Sequence, residues 1–330
     1  MSKDLAGSGL PARVEDFIGK QLQEVEKILF AELESTNPYV TDVFVHVTRF
    51  RGKRLRPMLL LLSAAANGGI TEDHKTLAAV VEMIHTATLV HDDVLDEAAT
   101  RRHVATVNAR WNNETSVLFG DYLFTHAFHL ASSLGSTHAC RQIGHATNIV
   151  CEGELSQIRE RGNLDLDEQS YLRIIDAKTA ELCALACRLG AEYADSDGSV
   201  VESFEQFGRS LGIAFQIADD LLDILGDENE TGKSLGSDFD KQKLTLPVIR
   251  LLEQSAEPEA SDLRDLLTSS DAGARSELAA RLQRSDAVEY ARSQAQEHAA
   301  TARRCLESAA DSPARKILEE LTEFAVQRAF

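Results

Sequence analysis

The chain has 330 residues, of which 43% are hydrophobic and 6% aromatic, with only 6 prolines and a formal net charge of −19. That length supports a large buried core, and abundant Ala, Leu, Glu and Arg with so few aromatics and prolines favour helices over a sandwich or barrel. The acidic balance excludes nucleic acid as a partner, because a phosphate backbone needs basic surface.

Met1 to Leu10 has no apolar signal core, and no charge-free run reaches the roughly 20 residues of a membrane span, so the chain reads as soluble and cytoplasmic. Val14 to Glu34 carries Phe17, Ile18, Leu22, Val25, Ile28 and Leu29 at close to helical period. Gly52-Lys53-Arg54-Leu55-Arg56-Pro57 sets three cations at the entrance of a very apolar helix, Met58 to Ala66, which Asn67-Gly68-Gly69 closes. Thr71-Glu72-Asp73 starts the next helix, which runs through Val80, Val81 and Ile84 into Leu89-Val90-His91-Asp92-Asp93-Val94-Leu95-Asp96. The pair Arg101-Arg102 follows. Further helices are predicted over 116–133, 139–158, 168–194 and 199–225. Lys178-Thr179 lies inside the third, and Phe215-Gln216-Ile217-Ala218-Asp219-Asp220-Leu221-Leu222-Asp223 ends the fourth. Residues 226–243 are rich in Gly, Asp, Glu, Asn and Lys and are predicted as loop, with Lys233 and Lys243 flanking Asp238. Helices resume at Leu246 and become shorter and more polar from Glu259 to Phe330. The five cysteines, at 140, 151, 183, 187 and 305, show no CxxC pair and no partnered His, and read as small core residues in a reducing compartment. Ser255-Ala256-Glu257-Pro258 is too brief for a flexible linker, so residues 1–330 are expected to form one all-α domain.

The acidic motif occurs twice, each time in an apolar run. On a helix, Asp residues three and four apart share a face. Three carboxylates crowded beside Leu, Ile and Val repel one another and resist desolvation unless a cation neutralises them. Oxygen ligands without Cys or His suit Mg²⁺, which keeps several waters and bridges to substrate phosphates. A solvated acidic turn would explain one such motif. Two of them, far apart in the chain, point to the metal-binding walls of a diphosphate site. Arg donates bidentately to phosphate and Lys acts as a point charge. Each basic residue alone reads as surface charge, but their placement beside the Asp motifs favours a grip on two diphosphates.

The elements GKRLRP, HTATLVHDDVLD, Arg101-Arg102, Gly120-Asp121, Lys178-Thr179, FQIADDLLD and KLTLP occur in an order that resembles the trans-isoprenyl diphosphate synthases (the polyprenyl synthetase family), over about Gly52 to Pro247. The resemblance implies an all-α isoprenoid synthase fold with antiparallel helices around a deep central cavity, a homodimer, and up to three Mg²⁺ ions. It assigns Asp92, Asp93, Asp96, Asp219, Asp220 and Asp223 to metal. Lys53, Arg56, His85 and Arg102 match an isopentenyl diphosphate pocket, and Arg101, Lys178, Lys233 and Lys243 match contacts to an allylic diphosphate. Lys178, Thr179 and Gln216 match groups at the reacting centre, whereas His91 reads as structural. No membrane span is implied, only a transient membrane contact for product release.

Product length follows from the same resemblance. Ala87 and Thr88 lie one turn before Asp92, and Ile84 and Val81 lie further back along the same helix. None is aromatic, and a helical turn rises about 5.4 Å, close to one isoprene unit, so a product of roughly six to ten units for a quinone side chain is implied. A short-chain geranylgeranyl or farnesyl diphosphate synthase is the alternative, as is a non-catalytic subunit of a heteromeric synthase. Terpene cyclases and head-to-head synthases leave the GKRLRP element without a task. The chain departs from the family pattern at Arg51, at His103-Val104-Ala105, where Gly-x-Pro is usual, and at Gln242, where Gly is usual. These changes alter loops and remove no charge or ligand.

Overall fold

The computed structural model describes residues 9–50, 52–225, 236–269 and 273–327, almost all of them helical. Two compact units emerge, Met1–Thr147 with Leu182–Gly208 and Cys305–Leu321, and Asn148–Glu181 with Arg209–Arg304 and Thr322–Phe330.

In the first unit, α1 (Leu10–Glu32) and α2 (Pro38–Val47) precede α3 (Leu55–Ala66) and α4 (Glu72–Leu95). The Asn37 side chain starts α2 by accepting from the Tyr39 N–H at 3.0 Å. Helix α4 packs against α1, α3 and α6 (Asn113–Ser132). Leu59 to Leu62 and Leu77 to Val81 have no exposed surface, which is why both helices look apolar all round in the sequence. Each such Leu contributes about 1.5–3 kcal/mol by burial. His74, at the third position of α4, accepts from the Thr71 N–H through Nδ1 (3.0 Å), where a capping box normally uses Glu or Gln. Its Nε2 lies 3.1 Å from the Gly190 carbonyl on α9 (Glu181–Glu192), so the ring ties two helices together.

The predicted helix over 72–95 forms as expected. The hairpin β1 (Thr100–Arg101) and β2 (Val104–Ala105), the short α5 (Val107–Arg110) and α2 had no periodic signal long enough to reveal them. Arg102 (φ 51°) and His103 (φ 64°) are both left-handed, which makes the hairpin link a two-residue type I′ turn. Histidine is among the few non-glycine residues that reach this region readily, so His103 closes the turn in which glycine is usual.

In the second unit, α7 (Thr137–Arg159) contributes its C-terminal half, followed by α8 (Glu168–Ile175). The helix predicted over 168–194 is interrupted: Asp176–Ala180 form a π-helical turn before α9 begins. Helix α10 (Gly198–Leu225) leads to the second Asp motif, and α11 (Ser237–Asp240) is a single turn within the predicted loop. The core of this unit joins Tyr171, Ile174, Ile217, Leu221, Leu246, Ile249 and Leu282. Behind α12 (Leu246–Gln254), α13 (Glu259–Thr268) and α14 (Ala274–Arg284), helix α15 (Ala287–Cys305) buries Ala287, Ala291, Ala295 and Ala299 in one stripe. The last described helix is α16 (Pro313–Gln327). Cys183 and Cys187 are core residues as expected, but Cys151 is exposed and Cys140 and Cys305 are half-buried. Among the described residues no helix is long and apolar enough to cross a membrane.

Candidate active site

Within the first unit, the end of α4 carries Asp92, Asp93 and Asp96. Asp92 and Asp96 are four apart, share a face and are half-buried. Asp93 is buried, and the Arg101 guanidinium holds it through Nε (3.0 Å) and Nη2 (2.8 Å). Arg101 is therefore engaged with the first motif itself, a use its sequence position did not reveal. Asn108 Nδ2 donates to the Asp93 and Ala98 carbonyls at 3.3 and 3.1 Å and secures the turn behind the motif. His91 turns away to the Val117 carbonyl (3.0 Å). A side chain on Gly120 would strike its ring at 2.0 Å, which accounts for the glycine of the Gly120-Asp121 element.

Two turns before Asp92, His85 keeps partial exposure, and the charges of Arg56, Arg101, Arg102 and Arg54 act on it. Burial first, and then these guanidinium charges, hold its imidazole well below the ordinary value, so the ring is neutral at pH 7. Arg54, left-handed at the start of α3 (φ 51°), donates to the buried Glu82 at 2.6 Å and to Glu26 at 3.4 Å. It anchors the loop, leaving Lys53 exposed beside it. Arg102 Nη1 donates to the Phe50 carbonyl at 2.6 Å. Arg56 keeps its Nε buried with no hydrogen-bond partner among the described residues. An orphaned guanidinium N–H beside further cations is a ready anion site, since leaving it unmade is costly. Ala87, Ile84 and Val81 have no exposed surface, whereas Thr88 is half-buried and its hydroxyl donates to the His85 carbonyl at 2.8 Å.

Within the second unit, a cavity of about 120 Å³ is lined by Gln157, Tyr171, Lys178, Thr179, Gln216, Asp220, Asp238 and Lys243, with apolar walls from Leu166, Ile174, Ile175 and Leu244. Lys178 and Thr179 reach it from the π-helical turn. Lys178 Nζ donates to Gln157 Oε1 (2.8 Å) and pairs with Glu154, both on α7. Thr179 Oγ1 donates to Gln216 Oε1 (2.8 Å), and Gln216 Nε2 donates to Asp220 Oδ1 (2.7 Å). The Tyr171 hydroxyl donates to the other oxygen of Asp220 at 2.6 Å. Asp220 is buried, and its carboxyl is pushed well above the usual range, by burial first and then by the Asp238 charge, against the pull of Tyr171 and Gln216. Asp238 is pushed up to about 6 by burial and by Asp223, partly offset by Lys243. The Asp238 N–H donates to Asp223 Oδ2 (3.1 Å), and the Lys243 N–H donates to the Asp238 carbonyl (2.8 Å). Gln242, left-handed at φ 53°, closes this loop where glycine is usual, and its carbonyl accepts from the Gly162 N–H at 2.9 Å. Lys233 and Arg51 lie outside the described residues. Tyr171, Gln157 and Glu154 were missed by the sequence, where they read only as parts of amphipathic helices.

The donor set suits a divalent cation. Asp219 and Asp223 repeat the spacing of Asp92 and Asp96, all four half-buried, and the unneutralised repulsion at Asp238 is what such a cation relieves. Among the described residues no group of three His, Cys, Asp or Glu side chains forms a ready-made metal cage. Mg²⁺ seldom uses one, taking one or two carboxylates with waters and substrate phosphate oxygens.

The polyprenyl synthetase family model matches residues 37–283. Octaprenyl diphosphate synthase of Escherichia coli (strain K12) is 34% identical over 96% of this chain and 98% of that protein. The crystal structure of a decaprenyl diphosphate synthase from Rhodobacter capsulatus is 36% identical, with a TM-score of 0.92 over 97% of this chain and 99% of that one. A polyprenyl synthase from Caulobacter crescentus CB15, complexed with calcium and isoprenyl diphosphate, gives a TM-score of 0.92 at 33% identity, covering 97% of this chain and 98% of that one.

Proposed function

The chain belongs to the polyprenyl synthetase family, a family of trans-isoprenyl diphosphate synthases, and on that premise we propose that it condenses isopentenyl diphosphate with an allylic diphosphate to make a long-chain polyprenyl diphosphate. The observation that carries the reading is the buried Arg56 Nε left without a hydrogen-bond partner among the described residues, close enough to Arg54, Arg101 and Arg102 that all four charges act on His85, in a chain whose net charge is −19. Cations gathered against the overall charge, two helical turns from Asp92, suit a diphosphate.

Asp92 and Asp96, and Asp219 and Asp223, would hold Mg²⁺, up to three ions in all. When bound, the metal neutralises the negative charge that builds on the departing diphosphate. Asp93 and Asp220 act behind them, Asp93 fixing Arg101 and Asp220 fixing Gln216 and Tyr171. Lys178 and Lys243, with Lys233, grip the allylic diphosphate as its bond to carbon breaks. Thr179 and Gln216 present oxygen dipoles to the allylic cation, and the apolar walls beside them keep water from quenching it. Lys53, Arg56, His85 and Arg102 hold isopentenyl diphosphate so that its double bond attacks that cation. A proton then leaves the new carbon chain for the departing diphosphate, so no protein nucleophile is needed.

The small Ala87 and Thr88 support a product of roughly six to ten isoprene units, at one unit per helical turn, fit for a quinone side chain. The protein would act as a homodimer in the cytoplasm, touching a membrane only to release its product. Incubating the pure protein with Mg²⁺, isopentenyl diphosphate and farnesyl diphosphate, then sizing the product, tests the reading. A ladder ending well beyond four units is expected; a product that stops at farnesyl or geranylgeranyl diphosphate would overturn the long-chain assignment, and no product at all would overturn the activity.

A further inference from the structure

Lys178 and Thr179 owe their placement to an uncommon piece of backbone. A π-helical turn holds one residue more than a regular turn, is rarely favoured by itself and concentrates at functional sites. It persists where its surroundings determine it. Here they do so at several points, all inside the second unit. A side chain on Gly153 of α7 would meet the Lys178 backbone nitrogen at 2.8 Å, and one on Gly212 of α10 would meet Ala180 Cα at 2.6 Å. Two neighbouring helices thus close on the turn to backbone contact.

Across its ends lies a single guanidinium. Arg209 Nη1 donates to Asp176 Oδ1 at 2.7 Å and Nη2 donates to Glu181 Oε2 at 2.8 Å. Asp176 is the first residue of the turn and Glu181 the first after it. Glu181 is only 6% exposed, so the bond from Arg209 is made largely out of water. Arg209, Gly212, Gln216 and Asp220 are spaced three, four and four residues apart and form one stripe of α10. Along that stripe Arg209 spans the turn, Gly212 touches its backbone, and Gln216 receives Thr179 while donating to Asp220.

We propose that Arg209 is a positioning residue for the reaction: by bridging Asp176 and Glu181 it fixes the π-helical turn that delivers Lys178 and Thr179 side by side into the cavity. The inference rests on the proposed role of Lys178 with the allylic diphosphate. The planar fork of Arg spans two carboxylates with fixed geometry, which a flexible ammonium cannot reproduce even though it keeps the charge. Arg209→Lys therefore separates placement from simple neutralisation.

The test uses the full chain with Mg²⁺, isopentenyl diphosphate and farnesyl diphosphate. It compares Arg209→Lys, Arg209→Ala and Lys178→Ala singly and each Arg209 variant combined with Lys178→Ala, with thermal melts to establish folding. Misplacing a reacting group by about 1 Å can cost on the order of 10²-fold, and a fall in kcat approaching that is expected for Arg209→Lys. The KM for isopentenyl diphosphate should stay unchanged, because no residue of its pocket is altered. On the Lys178→Ala background, Arg209→Lys should cost clearly less than on the wild type, since the part of its effect that acts through Lys178 is already gone. Normal kcat in a folded Arg209→Lys, losses that multiply in the double variant, or a rise in that KM would each overturn the clamp while Lys178→Ala remains crippled. Should Arg209→Ala fail to fold, Arg209→Lys alone decides. Full turnover in Lys178→Ala would instead remove the role of Lys178, and the clamp with it.

Discussion

The neighbours of a carboxylate decide what its loss should do. Asp92 and Asp96 keep partial exposure on one face, whereas Asp93 is buried against Arg101. Asp92→Ala or Asp219→Ala is expected to cut turnover by several orders of magnitude under saturating Mg²⁺, since on the proposed mechanism each would remove a ligand to the charge that stabilises the leaving group. Asp93→Asn should act through Arg101 and cost less, and a full kinetic comparison of the three variants checks that ranking. On the proposed assignment the basic residues divide by substrate. Lys53→Ala and Arg56→Ala should mainly raise the KM for isopentenyl diphosphate, and Lys178→Ala should mainly slow allylic ionisation. Each change removes a charge-assisted contact of about 1.5–3 kcal/mol. Initial rates with each substrate varied in turn measure the split; a Lys53→Ala variant affected only in the allylic diphosphate would reverse the pocket assignment.

Along the helices, α4 couples stability to acidity. His74 is fully buried, with Nδ1 accepting from the Thr71 N–H and Nε2 facing the Gly190 carbonyl. Burial lowers its imidazole below the ordinary value. A histidine with a lowered folded pKa contributes stability that is present above the unfolded value, about 6.5, and is lost as pH falls through the folded one. The melting temperature is therefore expected to drop below about pH 6.5, less steeply in His74→Gln, which keeps an acceptor for the cap but has no charge to gain. Further along the same helix, Ala87 is buried with no exposed surface. If a tail tunnel opens beside it, Ala87→Phe should fold and shorten the product to three or four isoprene units, at about one unit per helical turn. In a solidly packed site the added ring would instead destabilise by about 1–3 kcal/mol, and product sizing with a thermal melt tells the two apart.

The same helices explain what could be read in advance. The long apolar periods of α4 and α10 and the paired Asp motifs were visible because periodicity and spacing are written locally. The π-helical turn was not, because one extra residue hardly disturbs the pattern over 168–194, and only Gly153, Gly212 and Arg209, distant in sequence, require it. The hydrogen bonds from Arg101 to Asp93 and from Tyr171 to Asp220 were not legible for the same reason: the partners lie 8 and 49 residues away. The hairpin at 100–105 escaped because two-residue strands carry no alternation.

At the scale of assembly and solvent, apolar surface and charge carry the expectations. Helix α6 exposes Val117 (44%) and Leu118 (68%), and α7 exposes Leu155 (66%) and Ile158 (37%) with Cys151 on the same stripe. Such patches mark association surfaces. Leu118→Glu and Leu155→Glu are each expected to shift a homodimer towards monomer in analytical ultracentrifugation, and a chain already monomeric at working concentration would refute the assembly.

The opposition between a net charge of −19 and the arginines around His85 also has a kinetic face. An incoming diphosphate anion meets a repulsive field at long range and an attractive one only near the pocket. In dilute buffer, with a Debye length of about 30 Å at 0.01 M, repulsion governs the approach; near 0.15 M, where that length shrinks to about 8 Å, the substrate is felt only by the cations next to it. Moderate salt should thus accelerate the capture of substrate, the reverse of the usual slowing seen when an enzyme and its ligand carry opposite net charge.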